Sequence, residues 1–177
     1  MDRNAFWRKD YKNNNGFGLV NIVIILGIIC VLTIVLLQIN PIMILQKNRD
    51  NQRKNDLVRI QKVLQEFYKE NEKYPASNDK YEIVSVEADN PDKPWGSFWS
   101  RYNFTLPKDP DRVRSYRYIS KGRDQSYYLY ASLEFPNKDS EACNKGLACS
   151  SLPQGILCGN MEIDVCNYGV SSPNVSP

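Results

Sequence analysis

One uncharged stretch near the beginning of the chain constrains its fold more than any other feature. Residues 13–46 contain no charged side chain, and Lys12 and Lys47 stand at the two ends of the stretch. Within it, residues 17–37 are almost purely apolar. A helix rises about 1.5 Å per residue, so about 20 apolar residues cross the hydrocarbon core of a bilayer. We therefore predict a membrane-spanning helix, with a buried helix of a soluble domain as the alternative.

The composition excludes whole classes of enzyme. The chain has 177 residues and no histidine, so it lacks the residue on which serine–histidine and cysteine–histidine mechanisms and histidine-ligated metal sites depend. The sequence also contains no recognisable phosphate-binding loop and no nucleophile beside an evident base. We predict that the protein is not an enzyme and that it has no cofactor and no metal ion.

The cysteines fall into two groups. Cys30 lies in the apolar stretch, whereas Cys143, Cys149, Cys158 and Cys166 lie in a segment rich in Gly, Ser, Pro and Asn. Such a segment has too few large apolar residues to form its own core, so two disulfides are expected to fix it. Sequential pairing is our first choice among the three possible connectivities. A four-cysteine zinc site and free thiols remain alternatives, although zinc-binding pairs are usually spaced more closely.

Disulfides require an oxidising compartment, which places the C-terminal part of the chain outside the cytoplasm. The charges beside the apolar stretch give no orientation by themselves, because both flanks are basic.

A second helical pattern follows the apolar stretch after a kink expected at Pro41. Apolar residues at three- and four-residue spacing form one stripe: Leu57, Ile60, Val63, Leu64, Phe67 and Tyr68. Charged residues are expected on the opposite, solvated face: Arg53, Lys54, Arg59, Lys62, Glu66 and Lys69. We predict a single helix from Gly18 to Lys73, whose second half must be covered by the rest of the chain.

The remaining sequence predicts that cover. Residues 75–114 are rich in proline and contain an aromatic cluster that is expected to pack on the apolar stripe: Trp95, Phe98, Trp99, Tyr102 and Phe104. Residues 115–119 and 127–133, joined by a turn at 121–123, have the alternation of a β-hairpin. The predicted fold class is α+β, with a long N-terminal helix, half of it transmembrane, packed on a small antiparallel β-sheet.

Charge is segregated locally although it nearly balances overall. Residues 66–92 contain eight acidic and three basic side chains, and residues 101–123 contain seven basic and two acidic ones. These segments could pair between neighbouring subunits or be solvated faces. A basic stripe beside aromatic rings would suit single-stranded DNA: Arg101, Arg112, Arg114, Arg117 and Arg123, next to Trp95, Trp99 and Tyr102. The near-zero net charge beyond residue 16 argues against it, so we predict no nucleic-acid partner.

Three segments together resemble the type IV pilin-like proteins, particularly the major pseudopilins of type II secretion. They are RDNQRKNDLVRIQKVLQEFYKENEKYP, WGSFWSRYNFTLPKDP and SYYLYASLE. The resemblance implies a pilin-like fold. It also implies a cytoplasmic leader (1–16), a transmembrane half of the helix (17–45), a soluble half (46–74), an ectodomain of aromatic loop and β-sheet (75–135) and a cysteine-rich C-terminal tail (136–177).

The resemblance also implies a processing site. Prepilin peptidase cuts such chains between a glycine and a phenylalanine and methylates the new terminus; here the pair is Gly16 and Phe17, and cleavage would leave 161 residues. The family usually has glutamate at the fifth mature position, where this chain has Asn21. A minor or tip-like subunit, or an uncleaved membrane protein, would explain the difference. The family's calcium loop is not recognisable, because the acidic residues are scattered.

The predicted function is therefore a structural subunit of a type IV pilus-like filament or a type II secretion pseudopilus, assembled by packing of apolar helices. The expected partners are the membrane, homologous pilin or pseudopilin subunits and prepilin peptidase. The expected location is the inner membrane, with a single span and an extracytoplasmic C-terminal domain. The alternative is a membrane-anchored interaction domain that has the pilin-like fold but does not assemble.

Overall fold

We analysed a computed structural model, which describes residues 18–38, 40–85, 91–120 and 125–177. The predicted leader, the Gly16–Phe17 site and the turn at 121–123 lie outside the described residues. The described chain forms two units, one ending at Pro41 and the other comprising Ile42–Pro177. We call the second the C-terminal unit.

The long helix predicted from Gly18 to Lys73 is present over Leu19–Asn71 and is described as two segments on either side of residue 39, which lies outside the described residues. Helix α1 is Leu19–Gln38 and helix α2 is Pro41–Asn71. Proline suits the first position of α2, since the missing N–H would have no partner there. Helix α2 ends two residues before the predicted limit, because Glu72 adopts a left-handed conformation with φ of 56°. The Asn71 side chain donates to the Phe67 carbonyl at 2.8 Å, which satisfies one acceptor at this end.

The apolar stripe of α2 forms one side of the main core, as its spacing predicts. Leu57, Ile60, Leu64 and Phe67 are almost completely buried, and Tyr68 packs partly against the same core. The pattern identifies the buried face correctly because side chains three and four residues apart share one side of a helix.

A three-stranded antiparallel sheet packs against this stripe. Strands β6 (Arg117–Ser120) and β7 (Tyr127–Ala131) form the predicted hairpin. Strand β8 (Tyr168–Ser171) then pairs with β7 from the C-terminal tail. The tail therefore completes the sheet, which the sequence did not predict. The side chain of Gln61 donates to the carbonyl of Ser171 at 2.9 Å and so joins α2 to β8.

Smaller elements fill the rest of the C-terminal unit. One three-stranded antiparallel sheet consists of β1 (Ala76–Ser77), β2 (Ile83–Val84) and β3 (Asp92–Lys93). Strands β4 (Phe98–Trp99) and β5 (Phe104–Thr105) form an antiparallel pair. Short 3-10 helices lie at Ser100–Tyr102, Pro136–Lys138 and Cys143–Gly146. One long helical region with small antiparallel sheets confirms the predicted α+β, pilin-like fold.

Most of the aromatic cluster covers the helix stripe, as expected. The rings of Trp99 and Tyr102 lie 5.9 Å and 6.3 Å from the ring of Phe67, and they contact each other edge to face. Phe98 differs, since 56% of its surface is exposed. Successive side chains of a strand point to opposite faces, so burying Trp99 turns Phe98 outward.

Candidate functional site

Helix α1 presents an apolar surface on all sides. Its large apolar side chains are exposed, from 43% at Ile25 to 78% at Leu19. By length and composition, the described chain contains one helix capable of crossing a membrane, beginning at Leu19. A helix that is apolar all round must be covered by lipid or by other helices, because its exposure to water is unfavourable.

Among the described side chains of α1, Asn21 and Thr33 are polar and interrupt this surface. Thr33 donates its hydroxyl hydrogen to the carbonyl of Cys30 at 2.8 Å, which satisfies the hydroxyl within the helix. Asn21 lies in the first turn of α1, with its side chain exposed. Its backbone N–H donates to the carbonyl of Gly18 at 2.8 Å. The side-chain amide of Asn21 is therefore available to a neighbouring helix. Asn21 stands at the fifth mature position, where the family usually has glutamate.

The C-terminal unit contains an ion-pair cluster around Arg53. The side chain of Arg53 is completely buried, which corrects its predicted place on the solvated face of α2. Its guanidinium donates two hydrogen bonds to Asp109, both at 2.8 Å. It also lies 2.8 Å from a carboxylate oxygen of Asp50 and 2.8 Å from one of Glu134. Three carboxylates thus compensate one buried cation.

The cluster strongly favours the charged forms of its members. Burial acts to lower the pKa of the Arg53 guanidinium, but the hydrogen bonds to Asp109, Glu134 and Asp50 and the charge of Asp109 together outweigh burial and raise that pKa. Burial acts to raise the pKa of the Glu134 carboxyl, but hydrogen bonds from Arg49 and Arg53 lower it to about 2. Both groups are therefore ionised at neutral pH.

The cluster connects segments that are distant in the sequence. Asp50, on α2, accepts hydrogen bonds from the backbone N–H groups of Glu134 and Phe135, both at 2.9 Å. Arg114 donates to the fully buried carboxylate of Asp164 at 2.9 Å. The first group of contacts fixes the chain after β7 against α2, and the Arg114–Asp164 pair fixes the tail.

A second ion-pair group lies farther along the tail. Lys54 forms ion pairs with Asp139 and, at 2.7 Å, with Glu141. Its side chain is mostly buried, so Lys54 also departs from the predicted solvated face.

Two disulfides fix the tail. They join Cys143 to Cys149 and Cys158 to Cys166, with Cα–Cα distances of 4.9 Å and 5.0 Å. This is the sequential pairing. Cys158 and Cys166 are completely buried in a second core, whereas Cys143 is only partly buried. Cys30 has a free thiol and lies exposed on α1.

The residues considered for a DNA-binding stripe are not arranged as one among the described residues. Trp99 is completely buried and Trp95 nearly so, which leaves neither ring free to stack on a base. Arg101 donates to Glu70 at 2.9 Å, and Arg114 forms an ion pair with Asp164. Arg123 lies outside the described residues. The Glu70–Arg101 pair also shows that the acidic and basic segments contact each other within one chain.

The scattered acidic residues do not form a metal site in the described part of the chain. Within those residues, no group of three or more Cys, Asp or Glu side chains is placed to hold a metal ion. Glu134, Asp139, Glu141 and Asp164 are all used in ion pairs, and Glu162 is exposed.

Sequence reasoning missed the Arg53 cluster. One signal was present, because Asp50 and Arg53 are three residues apart and therefore neighbours on a helix. The other partners, Asp109 and Glu134, lie 56 and 81 residues away from Arg53, so no local pattern could identify them.

A family model described as type II secretion system (T2SS), protein G, matches residues 42–141 of this chain. No curated protein and no solved structure matches it. The matched residues include nearly all of α2, the arginine cluster from Asp50 to Glu134 and the sheet up to β7. They end before most of the disulfide-bonded tail.

Proposed function

The chain belongs to the family of type II secretion protein G, the major pseudopilin, and we propose that it assembles with pilin-like subunits into a pseudopilus filament. Two observations together carry the proposal: the family match over residues 42–141 and the exposed, predominantly apolar surface of α1 ahead of them. Packing α1 helices together buries this surface in the filament. In the membrane, lipid covers the same surface before assembly.

We further propose that prepilin peptidase cuts between Gly16 and Phe17 and methylates Phe17. The leader ahead of this bond carries four basic and two acidic side chains. These charges would oppose burial of the beginning of the helix among apolar neighbours, and cleavage removes them.

The proposed location is the inner membrane, with the C-terminal unit outside the cytoplasm. The family and the apolar helix are both consistent with a membrane-anchored protein. The two disulfides support the orientation, since they persist in oxidising compartments.

The proposed role is mechanical rather than catalytic. Support comes from the absence of histidine in the sequence. It also comes from the cluster around Arg53, whose ionisable side chains form ion pairs with one another. The exposed surface of the C-terminal unit would then face the secreted protein or neighbouring subunits.

The intact mass and N-terminal sequence of the protein, purified from membranes without reductant, test the proposed processing. We expect a chain of 161 residues that begins at N-methylated Phe17. Gly16→Leu should leave the full chain of 177 residues. Gly27→Leu is the matched control, because a Cβ at Gly27 meets no atom within 4 Å and the position is remote from the cleavage site. A wild-type chain that still begins at Met1 would refute processing.

A second candidate function is a membrane-anchored domain that does not assemble. Asn21 favours it, because an amide cannot neutralise the buried ammonium of a neighbouring processed subunit. An intact leader together with no filament incorporation would support this alternative.

A further inference from the structure

Two surface clefts flank the beginning of α2, and each brings two basic side chains together. Arg49 and Arg112 help to line one cleft, and Lys47 and Lys138 help to line the other. Lys47 and Arg49 are two residues apart on α2, so both clefts lie at the same level of the helix. We call these four side chains the basic collar.

The acidic side chains of the same clefts already have partners within the chain. Asp50 and Asp139 form ion pairs with other basic residues of α2. Asp111 is half-buried and accepts a hydrogen bond from the backbone N–H of Val113 at 3.2 Å, but this neutral donor leaves the charge of Asp111 beside Arg49 and Arg112. Arg49 is paired with Glu134, yet 35% of its side chain remains exposed. The exposed side chains of Lys47, Arg112 and Lys138 outnumber the one uncompensated carboxylate, Asp111, so the collar retains positive charge that can attract an anion.

The collar directly follows an exposed apolar turn. Ile42, Ile44 and Leu45 are exposed at the start of α2, and Lys47 comes two residues later. Helix α2 begins three residues after the end of α1, so the covalent chain keeps this turn close to the apolar span. Apolar side chains followed at once by basic ones are typical of a segment at a membrane interface.

From this juxtaposition we propose that the basic collar binds the phosphate groups of anionic phospholipids. The inference rests on the proposed membrane anchorage of the chain. The partner is a lipid surface rather than a soluble anion, because the apolar turn beside the collar needs hydrocarbon to cover it. Each basic side chain near an anionic bilayer strengthens attachment by about fivefold. The collar would hold the subunit at the inner membrane until the subunit leaves the bilayer to join the filament.

The experiment uses the full chain in lipid nanodiscs made of phosphatidylcholine alone or with added phosphatidylglycerol. Hydrogen exchange is measured at the backbone of residues 109–113 and 135–139, which border the clefts. We expect phosphatidylglycerol to slow exchange there by at least about fivefold, the factor for a single basic side chain. The effect should shrink at high salt, because ions screen attraction between exposed charges.

A pair of double variants isolates the collar. Arg112→Glu/Lys138→Glu reverses two collar charges at exposed positions and should abolish the protection. Lys62→Glu/Lys69→Glu makes the same change in net charge at exposed positions farther along α2, and it should preserve the protection.

Three outcomes would overturn the proposal. One is equal exchange of the wild type in both kinds of nanodisc, and a second is equal loss of protection in both double variants. The third is the same protection from inorganic phosphate in phosphatidylcholine discs, which would assign the clefts to a soluble anion. Failure of the chain to enter phosphatidylcholine discs is a separate result, because it would refute the membrane anchorage itself.

Discussion

The side chain of Arg53 is a buried cation surrounded by Asp50, Asp109 and Glu134. Removing one partner of a buried ion pair leaves uncompensated charge, which costs about 3–5 kcal/mol. We therefore expect Arg53→Leu to lower the free energy of unfolding of the C-terminal unit by that amount. Urea unfolding of the full chain in detergent, followed by tryptophan fluorescence, measures it.

Arg59 provides the matched control. It lies on the same helix, 61% of its side chain is exposed, and its nearest carboxylate oxygen is 3.9 Å away. Arg59→Leu should therefore cost less than about 1 kcal/mol, as exposed ion pairs do. Equal losses for the two variants would contradict the role assigned to the Arg53 cluster.

Glu134 makes the stability of the fold depend on acidity. Its pKa is lowered from 4.5 to about 2 in the folded chain, so folding favours the ionised form. The resulting stabilisation is present above pH 4.5 and is lost as the pH falls towards 2. We expect Glu134→Gln to be less stable than the wild type at pH 7 and to lose less stability between pH 5 and pH 2. Thermal unfolding across this range measures both effects.

Glu162→Gln serves as the comparison for this pH experiment, since Glu162 is exposed. Its stability curve should run parallel to that of the wild type. A parallel curve for Glu134→Gln would show that Glu134 does not carry the acid sensitivity.

At the scale of elements, structures with a repeating pattern of neighbouring residues were predicted from the sequence. Contacts between residues that are distant in the chain were not. The stripe from Leu57 to Phe67 and the hairpin of β6 and β7 were predictable, because apolar residues recur every 3.6 residues in a helix and every 2 residues in a strand. Both patterns can be recognised within a few neighbouring residues. Strand β8 has four residues, including Gly169, and pairs with a strand about forty positions earlier in the chain. Arg53 was misassigned for a related reason, since a charge on a helix is normally solvated.

The two disulfides should differ in their contribution to the tail. Each closes a short loop, for which chain entropy gives about 2–3 kcal/mol. Cys158→Ala/Cys166→Ala should cost more than Cys143→Ala/Cys149→Ala, because both of its sulfur atoms are buried in the second core, whereas Cys143 is only partly buried there. The difference in melting temperature between the two double variants measures this, and each variant serves as the control for the other. A larger loss for Cys143→Ala/Cys149→Ala would contradict the packing described for the tail.

At the scale of the whole molecule, we predict that Asn21 limits the assembly of subunits that have been processed as proposed. A carboxylate at this position would pair with the free terminal amine of a neighbour, and pairing a charge in lipid is strongly favourable. We expect Asn21→Glu to increase the yield of cross-linked filaments several-fold. Asn55→Glu makes the same change at an exposed position of α2 and should leave the yield unchanged. An equal yield for Asn21→Glu and the wild type would refute this role.

The position of β8 sets the order of events during synthesis. Helix α1 ends at Gln38, whereas the third strand of the main sheet begins at Tyr168. At about 5–20 residues per second, the ribosome completes this strand several seconds or more after it has made the apolar helix. The sheet cannot close until Ser171 has been synthesised. In the proposed membrane-anchored arrangement, we expect insertion of the apolar helix to precede folding of the domain, and a nascent chain that lacks Tyr168–Ser171 to leave the main sheet incomplete.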